Sequence, residues 1–133
     1  MRKVNGFTLI ELLVSVTIVA VVTVVAVVYY SSTLAKSRDS RRMSDLEKIR
    51  IAAEVAKQTS GVYPASVAAM VSGGYLQQQP NDPKASQSYY YNPLTNYSYV
   101  LCARMEDVGS TNCTSCTSCG DCGGSCNYRL TNP

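Results

Sequence analysis

Six cysteines are the residues of this sequence with the clearest chemical potential, and all of them lie in the last quarter of the chain. They are Cys102, Cys113, Cys116, Cys119, Cys122 and Cys126. The final four follow the C-x2-C-x2-C-x3-C spacing of a bacterial iron–sulfur site, although Asn127 stands where that pattern has proline. Any two C-x-x-C pairs that share no ligand would also supply a four-cysteine zinc site. Taken alone, the spacing makes metal binding a serious candidate.

Disulfide formation is the other chemistry open to these cysteines, and their surroundings favour it. An even number of cysteines in a Gly-, Ser- and Thr-rich tail is typical of cross-links formed in an oxidising compartment. Such bonds would hold a segment that has too few apolar residues to pack by itself. Cys102, in a predicted strand, is well placed to tie the tail to the rest of the chain. We predict disulfides with no metal and no cofactor, leave their pairing open, and keep redox-active or intersubunit thiols as an alternative.

The composition disfavours catalysis by side chains. The 133 residues include no histidine, which is the commonest acid–base group and metal ligand in proteins. We therefore predict that the protein is not an enzyme. The formal net charge is +3, and about half of the ionisable groups lie in residues 36–57. This distribution does not indicate nucleic acid as the main partner.

A single carboxylate, Glu11, lies in an otherwise apolar segment over residues 7–30. As a helix, this segment would be about 36 Å long, enough to cross a hydrocarbon core of about 30 Å. Arg2 and Lys3 precede it and favour a cytoplasmic N-terminus, which would place the cysteine tail on the oxidising side of the membrane. A charge inside a bilayer is costly, so Glu11 either lies close to the membrane surface or meets a cation when chains assemble.

The stretch GFTLIE at residues 6–11, after a short basic leader and before an apolar helix, resembles the prepilin signature of type IV pilins and type II secretion pseudopilins. The resemblance implies that a prepilin peptidase cleaves between Gly6 and Phe7 and that Phe7 is then methylated. It also implies that Glu11 pairs with the N-terminal amine of a neighbouring subunit during assembly. Physical chemistry agrees with this role, because an opposite charge offsets the cost of a buried carboxylate.

On this resemblance the chain is a structural subunit that polymerises with itself into a type IV pilus-like extracellular filament. Its other partners would be the inner membrane, which it crosses once before assembly, and an inner-membrane assembly platform. A type II secretion pseudopilin is the alternative within the family. Val28, where many type IV pilins have proline, favours the pseudopilin, whereas the disulfide-rich tail favours the pilus. A membrane-tethered metal or electron-transfer protein that uses the tail, and a DNA-binding minor pilin, are the alternatives outside these two.

The apolar segment leads into helix-forming residues that continue to about Thr59, where Ser60 and Gly61 predict the helix end. Apolar residues recur there at three- and four-residue steps, which is typical of one buried helix face. They are Leu34, Met43, Leu46, Ile49, Ala53 and Ala56. We interpret the interspersed basic residues as a solvated face or a membrane-surface anchor, with pairing to acids of neighbouring chains as the alternative. They are Lys36, Arg38, Arg41 and Arg42.

Short elements are predicted after this helix: a helix around residues 65–72, and a β-hairpin with its turn at residues 93–96. The segment 126–130 is too short for a strand to be predicted. The predicted fold is α+β, with a long N-terminal helix (membrane half plus amphipathic half) packed on a small antiparallel sheet head, followed by a disulfide-rich tail. The predicted regions are a cleaved leader 1–6, a transmembrane and assembly helix 7–30, an amphipathic helix 31–59, a globular head 60–101 and a cysteine-rich region 102–133.

Overall fold

The computed structural model describes residues 6–113, 116, 119, 120, 122 and 125–132. Its elements are α1 (Leu9–Ser60), α2 (Val67–Ser72), β1 (Tyr90–Thr95), β2 (Ser98–Ala103), a single 3-10 turn (Val108–Ser110) and β3 (Tyr128–Thr131). The chain divides into two compact units, Met1–Leu34 and Ala35–Pro133. The predicted α+β class, with a long N-terminal helix, a small antiparallel sheet and cysteine pairs near the C-terminus, is confirmed.

Helix α1 has a recognisable signal at each end. Thr8 precedes it, and the Thr8 hydroxyl accepts a hydrogen bond from the backbone N–H of Glu11 at 3.3 Å, which satisfies one of the free donors of the first turn. At the other end Gly61 has φ +80°, a conformation that glycine adopts without steric cost, and its N–H donates to the carbonyl of Lys57 at 2.7 Å. The predicted helix end at Ser60 and Gly61 is therefore confirmed.

Three antiparallel strands form the sheet, in the order β1-β2-β3. The prediction that residues 93–96 form the hairpin turn is wrong. Pro93 pairs with Tyr99 inside the ladder, which continues to the pair of Thr95 and Ser98, so the turn itself is Asn96 and Tyr97. Strand β1 is an edge strand, where the missing N–H of a proline need not break the ladder, and the register shifts just after Pro93.

The main core lies between α1 and one face of β2. Buried side chains of the predicted helix stripe meet alternate residues of the strand and one residue of α2. They include Leu46, Ile49 and Ala53 of α1, Tyr99, Leu101 and Ala103 of β2, and Met70 of α2. Met43 is partly buried against this core and Ala56 is buried, as predicted, whereas Leu34 is exposed. The helix period of 3.6 and the strand period of 2 therefore both hold in the core.

The opposite face of β2 is covered by the cysteine tail. Val100 and Cys102, which alternate with the core residues of this strand, pack in a second buried cluster with Cys122 and Cys126. Strand β3, inside the cysteine-rich region, pairs with β2 from Val100 to Ala103. Strand β2 is consequently covered on both faces and paired along both edges.

Arg42 lies at the centre of a buried ionic cluster, so the interpretation of the whole basic run as a solvated face is wrong. The Arg42 side chain is 0% exposed, and its guanidinium makes five hydrogen bonds. Two of them go to Asp82 at 2.7 and 2.8 Å, and the others go to Asp39, Glu106 and Gln87 at 2.7 to 2.9 Å. Each N–H of the guanidinium thus has an acceptor.

Two further cations complete this arrangement. Arg38 forms a two-pronged contact with Glu106, with N···O distances of 2.8 and 2.6 Å, and Lys84 lies 2.7 Å from the same carboxylate. We call the set of three cations and three carboxylates the Arg42 cluster. Its members are Arg38, Asp39, Arg42, Asp82, Lys84 and Glu106. Because its members come from α1, from the loop before β1 and from the segment after β2, the cluster fixes both segments on the helix.

Candidate functional site

The candidate assembly surface is the apolar part of α1. Large side chains are exposed from Phe7, at 82% just before the helix, through Val27, at 68% within it, and none of the most apolar stretch is buried. By length and composition this helix can cross a membrane. A side-chain surface of this kind is stable only in lipid or against other apolar surfaces.

The polar side chains within that apolar surface bond to the helix itself. The hydroxyls of Ser15, Thr17 and Thr23 donate to backbone carbonyls three or four residues earlier, at 2.7 to 2.8 Å. Internal bonding of this kind lets a hydroxyl enter lipid at little cost. These residues are therefore compatible with the apolar surface and do not call for a partner.

Glu11 differs from those hydroxyl residues. It is exposed on the first turn of α1, where the positive end of the helix dipole favours a negative charge. Within the described part of the chain, no ion pair to its carboxylate is found. The arrangement presents a carboxylate on an apolar helix, available to a cation from outside the described residues.

Gly6 and Phe7, the predicted processing site, are exposed next to the start of α1. Open space surrounds Gly6, since a Cβ placed on it would have no neighbour within 4 Å. The peptide bond between the two residues lies outside the helix, in the irregular segment that precedes Leu9. The basic leader residues Arg2 and Lys3 lie outside the described residues.

The six cysteines for which disulfides were predicted form three bonded pairs: Cys102 with Cys119, Cys113 with Cys116, and Cys122 with Cys126. Thiolates are the ligands that an iron–sulfur or zinc site would need, and disulfide formation consumes them. Among the described residues, no group of three or more potential ligands is placed to hold a metal ion. The four cysteines that have the iron–sulfur spacing are thus divided among three separate disulfides.

Cys102 ties the tail to the sheet, as its predicted strand position indicated. Its partner Cys119 is 17 residues away, and their Cα atoms are 6.0 Å apart. Immediately after Cys119, Gly120 lies against the ring of Tyr90, and a Cβ placed on Gly120 would overlap that ring. The backbone of the tail therefore packs directly on β1, which requires a residue without a side chain at that position.

The Arg42 cluster is the feature that sequence reasoning missed. Asp82, in the loop before β1, and Glu106, after β2, are 40 and 64 residues away from Arg42 in sequence. One local signal was present, because Arg42 lies four residues before Leu46 and therefore on the same helix face as the buried stripe. A charged residue on such a face indicates a buried ion pair.

Comparison with known proteins identifies the N-terminal segment. Residues 1–27 match the family described as the prokaryotic N-terminal methylation motif. No curated protein and no solved structure matches the chain. The matched range includes Gly6, Phe7, Glu11 and most of the exposed apolar helix, and the motif implies processing by a prepilin peptidase and polymerisation into a filament. The recognition made from GFTLIE is confirmed: residues 1–27 carry the prepilin-type signature of type IV pilins and pseudopilins.

Proposed function

We propose that this chain is a structural subunit of a type IV pilus-like extracellular filament. In this proposal a prepilin peptidase cleaves between Gly6 and Phe7, Phe7 is methylated, and the processed chain waits in the inner membrane as a single-pass protein. An inner-membrane assembly platform then adds it to the filament through its N-terminal helix. The head, held by the Arg42 cluster and the disulfides, faces the outside.

The observation that carries the proposal is Glu11, an exposed carboxylate on an apolar helix whose hydroxyl side chains bond to the helix itself. On insertion scales a charge costs roughly 2.5–3.5 kcal/mol at the centre of a membrane helix and less toward its end, where Glu11 lies. The N-terminal ammonium of a neighbouring processed chain would offset this cost. Assembly is then favoured because it neutralises the carboxylate.

The same pairing would define how neighbouring subunits are staggered. A buried polar contact can be made in only one register, whereas apolar helix surfaces such as residues 12–27 can slide past one another with small changes in energy. Glu11 would therefore specify the register, and the apolar side chains would supply most of the contact area.

Substitution of Glu11 by glutamine tests this proposal, because glutamine keeps the shape and removes the charge. We expect the Glu11→Gln chain to be inserted and processed but to give at least about a tenfold lower yield of sheared filaments, since each subunit addition loses a charge-assisted contact. Ser15→Ala is the matched control, one turn further along the same exposed face, and should leave the yield unchanged. A normal yield with normal stagger for Glu11→Gln would overturn the proposal.

Intact-mass analysis of the native chain tests processing separately from assembly. The proposal requires loss of residues 1–6, one added methyl group on Phe7, and three disulfides. A chain that retains residues 1–6 in purified filaments would exclude cleavage at Gly6 as a requirement for assembly.

A type II secretion pseudopilin is the second candidate, and the observation in its favour is Val28 in place of the proline of many type IV pilins. The two candidates differ in the fibre that the native cell makes. Sheared surface filaments with this chain as their main component would support the pilus. Short periplasmic fibres that appear only on overexpression would support the pseudopilin.

A further inference from the structure

The three disulfides differ in how the rest of the head protects them. Cys102 and Cys122 are each 0% exposed and Cys126 is 4% exposed, all in the apolar cluster on the outer face of the sheet. Cys119 is partly buried against the same cluster. Opening either of the two bonds in this cluster would require access to a buried sulfur and would loosen the cover of β2.

The bond between Cys113 and Cys116 lies outside that cluster. Cys113 is partly exposed and Cys116 is 8% exposed, so Cys113 is the more accessible sulfur, and neither residue belongs to the buried clusters of the head. The bond joins residues only three apart, whereas the Cys102–Cys119 bond spans 17 residues. Because a cross-link restricts the unfolded chain more when it closes a longer loop, the Cys113–Cys116 bond contributes less to folding than the Cys102–Cys119 bond. The Cys122–Cys126 bond is also short, and it differs from Cys113–Cys116 in being buried in the apolar cluster.

Backbone hydrogen bonds hold the neighbourhood of this bond without help from sulfur. The N–H groups of Asn112 and Cys113 both donate to the carbonyl of Asn127, at 3.2 and 3.3 Å. The N–H of Cys116 donates to the carbonyl of Cys126 at 3.3 Å. The Asn112 side chain also makes two hydrogen bonds of 2.8 Å to the backbone of Arg129 in β3. Cleavage of the sulfur bond would therefore leave both cysteines next to each other.

We propose that Cys113–Cys116 is a site of reversible thiol–disulfide exchange with an external dithiol, while the other two disulfides are structural. One thiolate of the dithiol attacks the Cys113 sulfur, and Cys116 leaves as a thiolate that takes up a proton. The second thiol of the dithiol then attacks the first sulfur of the same dithiol, which is bonded to Cys113 in the mixed disulfide. Cys113 is released and takes up a proton to become a thiol. The dithiol is oxidised to a disulfide and the C-x-x-C pair is reduced by the same two electrons.

The chemical class of the reaction partner follows from this geometry. A C-x-x-C pair held by its backbone keeps its second sulfur within reach of the first, so the pair can be reoxidised by the reverse steps. A dithiol oxidoreductase with its own C-x-x-C site, or a small dithiol, can act in both directions. This inference concerns the head alone and does not depend on filament assembly.

Graded reduction of the full-length chain in detergent tests the inference, with dithiothreitol as the dithiol. Samples are equilibrated at increasing dithiothreitol concentrations, trapped with N-ethylmaleimide, and mapped by tandem mass spectrometry. We expect Cys113 and Cys116 to be labelled together at a concentration about tenfold lower than that required for the other four cysteines. The inference is overturned when any of those four is labelled at the same or a lower concentration.

Two paired variants sharpen the result. Cys113→Ser combined with Cys116→Ser should remove the labelling step at low dithiothreitol and leave the others unchanged, with the tyrosine circular dichroism of the head retained. Cys122→Ser combined with Cys126→Ser is the matched control, which removes a cross-link of similar length, four residues against three, from the buried cluster and should keep the early step. Loss of the tyrosine signal in the first double variant would contradict the inference. The order of reduction is read from labelling of the unaltered chain, so it is decided even where a variant fails to fold.

Discussion

Replacing Arg42 with methionine should be among the most damaging single changes in the head. Methionine retains much of the apolar volume and removes the charge and all five hydrogen bonds of the guanidinium. The Arg42 cluster would then hold two cations and three carboxylates, with Asp82 losing both of its bonds to the guanidinium. Removing one partner of a buried ion pair costs about 3–5 kcal/mol, because the remaining charge stays buried without compensation.

The free energy of unfolding of the full-length chain in detergent measures this cost. Tyrosine circular dichroism is a suitable signal, because the chain has ten tyrosines and no tryptophan. For a head of about 100 residues, a loss of 3 kcal/mol or more should lower the midpoint of thermal unfolding by more than about 10 °C. Arg42→Lys should be intermediate, since lysine keeps the charge and cannot make the forked contact with Asp82.

Arg41→Met is the matched control for this experiment. Arg41 is the adjacent residue, its side chain is 68% exposed, and its nearest ion-pair distance, to Asp45, is 3.9 Å. Its removal should change the free energy of unfolding by no more than about 0.5 kcal/mol. The reasoning is refuted if Arg42→Met costs less than about 1 kcal/mol, or if both variants cost the same.

Three further predictions concern the head. The two-pronged contact with Arg38, together with the other cations around it, holds the pKa of Glu106 well below its ordinary value of 4.5. Because the unfolded chain takes up a proton at this group first, the free energy of unfolding should fall as the pH drops below about 4.5. Acid unfolding curves should show a weaker pH dependence for Glu106→Gln. Burial raises the pKa of Tyr91 from 10.0 to about 12. Its contribution to stability is therefore complete below pH 10 and is lost as the pH rises toward 12. Alkaline titration of tyrosine absorbance should show one late ionisation in the unaltered chain that is missing in Tyr91→Phe. Gly120→Ala should destabilise the head by about 1–3 kcal/mol in the same unfolding assay, because the added methyl group meets the Tyr90 ring, and Gly109→Ala, whose methyl group would meet only the side chain of Asp107, should have a smaller effect.

The parts of the fold that follow local rules could be predicted from the sequence. The apolar periodicity of α1 predicted its buried face, and Gly61 predicted its end. Both features depend on residues that are close together in the chain. The signature at residues 6–11 is likewise contiguous, which is why a short stretch was enough to recognise it. Features of this kind need no knowledge of the tertiary structure.

The features that were missed depend on contacts between distant residues. The partners of Arg42 come from loops far along the chain, so composition near the membrane segment suggested solvation when the residue is in fact buried. The hairpin turn was placed too early because Pro93 is a common turn residue, and its tolerance on an edge strand appears only once the strand order is known. Strand β3 has four residues, and its pairing partner had to be known before it could be assigned.

The cover on the outer face of β2 has a consequence for how freely the head can change during evolution. That cover is attached by sulfur bonds and by close approach of a glycine, so it makes few demands on the other residue types of the tail. A second helix in the same place would need its own apolar stripe, which would restrict about three positions in every seven. The residues of the tail between these attachment points can therefore diversify in sequence while the sheet beneath them stays constant.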